Sequence, residues 1–315
     1  MSAAVAAMTA RINAGKYHVA FPFVVIVIGQ LMGSTGPLFI RAMHVAGMPT
    51  PAIIALRQLI TSALLTPVIL LFYRHELRRL SRRNLVFAAL AGTVLAIRFY
   101  FQIEAFNNSS VLLAGVFGGS GPLWVALVEV LWLKAVFTRR VWAGILLSLF
   151  GGVIIALAGF DSGTSPGGDA ALGAVLGLTA AFMSAFYLNL GRLARGQVSL
   201  LPYLWLMFSI AALISLAVAV MTGVPLTGYS DDAWLGMAGL IITAQIFGHG
   251  GMNFALKYMP ATYVSVMSQI VVVTSAVGAY IYFNELPGAG QAIGSMVIIA
   301  GVIFVTFGRG SQKPD

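Results

Sequence analysis

The 315-residue chain has no cysteine. This excludes disulfides, thiolate metal sites and cysteine nucleophiles. Charge is scarce as well: Asp, Glu, Lys and Arg make up 9% of the chain, against about 25% in soluble globular domains. So few charges cannot cover a globular surface in water. With 59% hydrophobic residues, most of the outer surface must face lipid. A cleavable leader is not expected. The first strongly apolar segment, from Phe21, is too long and too closely followed by further apolar runs to be a signal core. The net charge of +9 raises the question of nucleic acid. Its basic residues sit in short clusters between apolar stretches and form no basic aromatic face, so no nucleic-acid partner is expected.

What the chain does have is a series of long apolar runs. A bilayer core requires roughly 20 apolar residues per helix. Spans are expected near residues 21–43, 51–73, 84–104, 109–133, 140–159, 170–191, 200–222, 233–255, 261–283 and 289–308. Pro49 and Pro51 open the second, and Asn107 to Ser110 read as a tight turn before the fourth. Asp161 to Asp169, rich in Gly and Pro, divides the chain near its middle. The expected division is a tail over 1–19, a first unit over 20–160, an external linker over 161–169, a second unit over 170–308 and a tail over 309–315. With the N-terminus placed in the cytoplasm, fifteen of the 18 basic residues fall on the cytoplasmic side. Arg41 alone falls in an outer loop, and Arg57 and Arg98 lie within spans. This segregation favours ten crossings with both termini cytoplasmic.

A shift of 150 residues brings the halves into register without gaps. Gly144 meets Gly294, Gly151 meets Gly301, Ser34 meets Ser184 and Thr93 meets Thr243. Each half carries five spans, an odd number, so the halves are expected to insert in opposite orientations. Inverted repeats around a midplane site are a common architecture of secondary transporters. The expected fold is an all-α membrane protein of ten transmembrane helices in two inverted five-helix repeats.

The run from Gly248-His249-Gly250-Gly251-Met252-Asn253-Phe254-Ala255-Leu256 to Pro260-Ala261-Thr262-Tyr263-Val264-Ser265, closing at Asn284-Glu285, resembles the second repeat of EamA-type members of the drug/metabolite transporter superfamily. Pro51 to Arg57 and Ala105 to Pro122 are similar to parts of the first repeat. The sequence departs from that pattern at Lys134-Ala135, where an acidic helix end is usual, and at Val272, where a proline is usual. The resemblance implies a non-enzymatic carrier without a cofactor. It would move small metabolites, most often amino acids or related amphipathic compounds, usually outward, across a bacterial inner membrane. The two arginines within the spans make a carboxylate-bearing solute the preferred expectation, and a monomer or a homodimer is expected. Small multidrug resistance proteins resemble half of this chain, but their membrane-embedded glutamate has no counterpart in the first span.

Polar groups inside the spans mark the candidate site. A charged side chain at the bilayer centre costs about 2.5–3.5 kcal/mol on insertion scales, so it tends to face a cavity. Arg57 and Arg98 are expected to bind an anionic group such as a carboxylate. The alternatives are outward snorkelling or, for Arg98, a pair with Glu104. His249 falls in register with Phe99, beside Arg98, so Arg98 and His249 are expected on opposite sides of one cavity. Gln30, Ser34, Ser120, Gln245 and Gln269 complete the candidate lining, since amides in hydrocarbon need partners. Glu129 is expected to be neutralised by Lys134 and by Arg139 or Arg140. One rival comes from another class. Gly118-Gly119-Ser120-Gly121 with His249-Gly250-Gly251 resembles the serine and histidine dyad of rhomboid-type intramembrane proteases, in which histidine activates serine as a general base.

Overall fold

The computed structural model describes residues 21–108, 117, 119–159, 169–283 and 288–307, and every regular element among them is helical. The first half contains α1 (Phe21–Gly33), α2 (Gly36–Val45), α3 (Thr50–Val68), a π-helical turn (Ile69–Tyr73), α4 (Arg74–Arg78), α5 (Arg82–Asn108), α6 (Gly121–Trp132) and α7 (Arg139–Gly159). The second contains α8 (Ala170–Arg195), α9 (Leu200–Met221), α10 (Asp231–Leu240), a π-helical segment (Ile241–His249), α11 (Gly250–Ala255), α12 (Ala261–Met267), α13 (Ile270–Phe283) and α14 (Ala289–Phe307).

Local chemistry sets the ends. Pro37 sits in the first turn of α2 and Pro51 in that of α3, where a missing N–H costs nothing. Between α1 and α2 the Ser34 and Thr35 hydroxyls donate to the carbonyls of Leu31 and Met32, at 2.7 and 2.8 Å. Asp169 caps α8 by accepting from the Ala171 and Leu172 amides. Gly47 and Gly223 turn the chain at φ 80° and 67°, a region other residues adopt at a cost.

Six continuous stretches are long and apolar enough to cross a bilayer: Phe21–Val45, Thr50–Arg78, Arg82–Asn108, Ala171–Arg195, Leu200–Met221 and Asp231–Ala255. Gly121–Trp132 and Ala292–Phe307 are shorter apolar helices. Large apolar side chains such as Leu71, Leu157, Leu213, Leu235 and Phe307 stand exposed on the outside, as lipid contact requires. The chain is a multi-pass membrane protein. Three expected boundaries are corrected. The second span runs on to Arg78, α5 continues through Asn107 and Asn108 where a turn was expected, and the ninth span breaks at Ser268 and Gln269. Most of the start of the fourth span, the Asp161–Gly168 stretch and both tails lie outside the described residues.

The halves interlock helix by helix. On α7 and α14, a Cβ at Gly144 would lie 2.7 Å from the Gly301 carbonyl oxygen, and one at Gly151 would lie 2.6 Å from that of Gly294. As one helix ascends the other descends, so these two members of the 150-residue register pack antiparallel. The same sense appears where Ser62 meets Ser209 at 2.6 Å and Thr66 accepts from Trp205 Nε1 at 2.9 Å. Backbone contact this close admits only glycine. Gly151→Ala is therefore expected to lower the unfolding temperature, by about 1–3 kcal/mol of overpacking strain. A Cβ at Gly250 would meet nothing within 4 Å, so Gly250→Ala is expected to leave stability unchanged or raised. Equal stability of the two variants would refute the close crossing.

Candidate functional site

The site forms where positions 150 residues apart touch. Phe99 on α5 and His249 at the end of the π-helical segment stack edge to face, ring centroids 5.1 Å apart. Gln269 Nε2 donates to the carbonyl of its own register mate, Gly119. Small residues allow this approach. A Cβ at Gly29 on α1 would lie 2.7 Å from the Phe247 carbonyl oxygen, and Gly33 and Gly248 face each other. The π-helical segment inserts an extra residue per turn, and both Gln245 and His249 point inward from it, 0% and 8% exposed.

Phe99 gathers the cations. The Arg57 guanidinium carbon lies 4.1 Å from the Phe99 centroid and that of Arg98 lies 5.5 Å away. Arg57 is 2% exposed and donates through one Nη to Gln245 Oε1. Gln245 Nε2 in turn donates to Gln58 Oε1 at 2.6 Å. The Arg57 Nε and the Gln58 Nε2 are buried with no hydrogen-bond partner among the described residues. Arg98 Nε donates to Ser184 Oγ at 2.6 Å, so the expected alternative partner, Glu104, gives way to a hydroxyl. His249 Nδ1 lies 3.3 Å from the Tyr187 hydroxyl. Asn253 Nδ2 donates to that hydroxyl at 2.6 Å and to the His249 carbonyl at 2.7 Å.

Chemically this is a buried, positively charged cluster packed around one aromatic ring. Among the described residues no carboxylate stands against Arg57, whose guanidinium is supported by one amide oxygen and a ring face. A buried cation left unpaired is costly, and an aromatic face offsets only part of that cost. Such a group is suited to take an anion when one arrives.

Arg57, Arg98, Gln245 and His249 are thus brought together around Phe99. Four expected residues have other bonds. Gln30 donates weakly to the Gly248 carbonyl at 3.4 Å, beside His249. Ser34 donates to Leu31, Ser120 to the Phe117 carbonyl at 2.9 Å, and Gln269 to Gly119. The protease reading is not supported: Ser120 bonds to the Phe117 carbonyl, three residues back in the chain, and His249 engages Tyr187 and Phe99. Gln58, Phe99 and Asn253 are members that sequence reasoning did not assign to the site. The rule that intramembrane amides need partners applies equally to Gln58.

A second polar node joins the halves elsewhere. Glu129 on α6 is 0% exposed. It accepts from the Ala261 amide at 3.0 Å, the Thr262 amide at 2.9 Å and the Thr262 hydroxyl at 2.6 Å. It also forms an ion pair with Arg192. The expected partners Lys134, Arg139 and Arg140 are thereby replaced by a residue of α8. A carboxylate at the start of α12 meets the unpaired amides and positive dipole of that helix end.

The geometry agrees with what this chain is similar to. An uncharacterized transporter of Archaeoglobus fulgidus is 28% identical over 226 residues, covering 69% of this chain and 74% of that protein. A solved crystal structure superposes with a TM-score of 0.69 at 18% identity, covering 90% of this chain and 96% of that one. This likeness establishes the fold. The sequence signature of the EamA-like transporter family matches twice, over residues 21–157 and 171–307. Both halves of the interlocked bundle carry that signature, and the chain belongs to the EamA-like transporter family.

Proposed function

We propose that the protein is a secondary transporter that carries a small carboxylate-bearing metabolite, an amino acid or a related amphipathic compound, and exports it by alternating access. The observation that carries this reading is Arg57: a buried guanidinium with an unpartnered Nε, on the ring that touches its register mate His249. A solute carboxylate would bridge Arg57 and Arg98, with His249 and Gln245 supplying further hydrogen bonds.

In this reading the chain crosses a bacterial inner membrane ten times with both termini cytoplasmic, and its five-helix halves run in opposite senses. The antiparallel packing of α7 with α14 and of α3 with α9 supports that arrangement. Opposed halves of similar structure can exchange shapes, which opens one site to each side in turn. Glu129 would act as a latch at the end the arginine bias assigns to the cytoplasm. Its register mate is Ala279, so the opposite end has no equivalent acid there.

The test is a panel of solutes scored by thermal stabilisation of the purified protein, followed by flux of the hits into liposomes. Monocarboxylates and amino acids are expected to raise the unfolding temperature, and their methyl esters are not. Stabilisation by esters and acids alike would refute the anion site. Absence of cysteine makes a second test direct. Single cysteines at positions 34, 120 and 249 are expected to react with small water-soluble reagents in membranes. Inaccessibility of all three would contradict a cavity that opens.

A further inference from the structure

A separate apolar pocket of about 230 Å³ lies between α3, α5 and α9. Its walls include Pro51, Ile54, Ala96, Ile214 and Ser215. Ile97 and Tyr100, also in its lining, are 39% and 40% exposed on the lipid-facing side, which places its mouth between helices. Two features mark it as more than a packing defect. The Ser215 hydroxyl is buried and without a partner among the described residues, in a wall whose other members, Tyr100 apart, are wholly apolar. The pocket also lies one helical turn from the cation cluster. Ile54 is one turn from Arg57 on α3, and Ala96 is one turn from Phe99 on α5, so these side chains share a helix face with the site residues.

We propose that this pocket is a subsite for the apolar body of the transported solute, an aliphatic chain whose carboxylate sits on Arg57 and which slides between the helices from the lipid side. The proposal rests on the carboxylate reading above. A small cavity with apolar walls and a few placed polar groups is the usual construction of a small-molecule site. The unpartnered Ser215 hydroxyl would be satisfied by a polar atom on the chain, while its methylenes leave water or lipid for the apolar wall.

The probes are the straight-chain carboxylates from acetate to octanoate and the matching 1-alkanols, with affinities measured on the full chain in nanodiscs. For the wild type, affinity is expected to rise about fourfold per methylene, the equivalent of burying each one, until the pocket is full. Ala96→Leu on α5 and Ser215→Leu on α9 fill the pocket from different helices. In either variant the rise should stop at shorter chains while acetate binds as before. Acetate binding with no dependence on chain length in the wild type would overturn the subsite and leave the anion reading intact. The same result follows from chain-length dependence that is identical in wild type and both filled variants. Alkanols that bind with a length dependence lost in the filled variants, with no carboxylate binding at all, would retain the pocket and overturn the anion reading.

Discussion

Replacing Arg57 with glutamine is expected to weaken carboxylate binding roughly ten- to a hundredfold, the worth of one charged hydrogen bond. The fold should remain as stable as before or become more so. The two effects separate because of where the charge sits. Arg57 is 2% exposed, donates to Gln245 and leaves its Nε unpartnered. Glutamine keeps a donor for Gln245 and removes the buried charge, whose desolvation opposes folding. Arg57→Lys retains the charge but loses the planar fork that a carboxylate matches, so it should fall between wild type and Arg57→Gln. Binding is measured by titration calorimetry and stability by thermal unfolding without solute. Undiminished binding in Arg57→Gln, or a loss explained by unfolding, would count against the assignment.

The second large effect falls on Glu129. Glu129→Ala strands the Ala261 and Thr262 amides, the Thr262 hydroxyl and the Arg192 guanidinium at once. Breaking a buried, hydrogen-bonded charge pair in this way costs about 3–5 kcal/mol. Glu129→Gln keeps a carbonyl oxygen that can still accept from α12, so a smaller loss is expected. Arg192→Ala should cost less again, because Glu129 retains three donors from Ala261 and Thr262 and Arg192 is partly solvated, its side chain 34% exposed. The unfolding temperature is expected to be lowest for Glu129→Ala, higher for Glu129→Gln and highest of the three for Arg192→Ala. Equal unfolding of Glu129→Ala and wild type would show that the carboxylate does not join the halves.

Sequence alone conveyed the repeat, and it singled out the intramembrane arginines, because both readings rest on patterns visible along the chain. Apolar length marks a span whatever its neighbours, and the shift of 150 residues aligned Gly144 with Gly294 and Gly151 with Gly301, which prove to be crossing points. The same shift set His249 against Phe99, and these two rings touch. The same register led to the expectation of Arg98 and His249 on opposite sides of one cavity; the structure sets both beside Phe99. What sequence could not convey depends on which distant helix arrives. Glu129 is followed closely in the chain by Lys134, Arg139 and Arg140, yet its partner is Arg192, because the first amides of α12, which have no partner within their helix, hold the carboxylate against the other half. Gln58 adjoins Arg57 in sequence, but consecutive helical residues diverge in direction. Among the described residues it is Gln245, reaching across from the π-helical segment, that links the two. That segment has no residue type that announces it. Ser34 and Ser120 obey the rule that intramembrane polar groups need partners by bonding to carbonyls three residues back in the chain, which a list of polar residues does not distinguish from lining a cavity.

The account depends most on the two halves crossing the membrane in opposite senses, so that one site between them can face either side. The direct measurement is a pair of compartment-sensitive reporters, one inserted at Gly167 between the halves and one fused to the C-terminus, read in intact cells. Opposite compartments are predicted, the C-terminal reporter inside and the Gly167 reporter outside. The same compartment for both would contradict the inverted repeat, and the alternating-access mechanism with it.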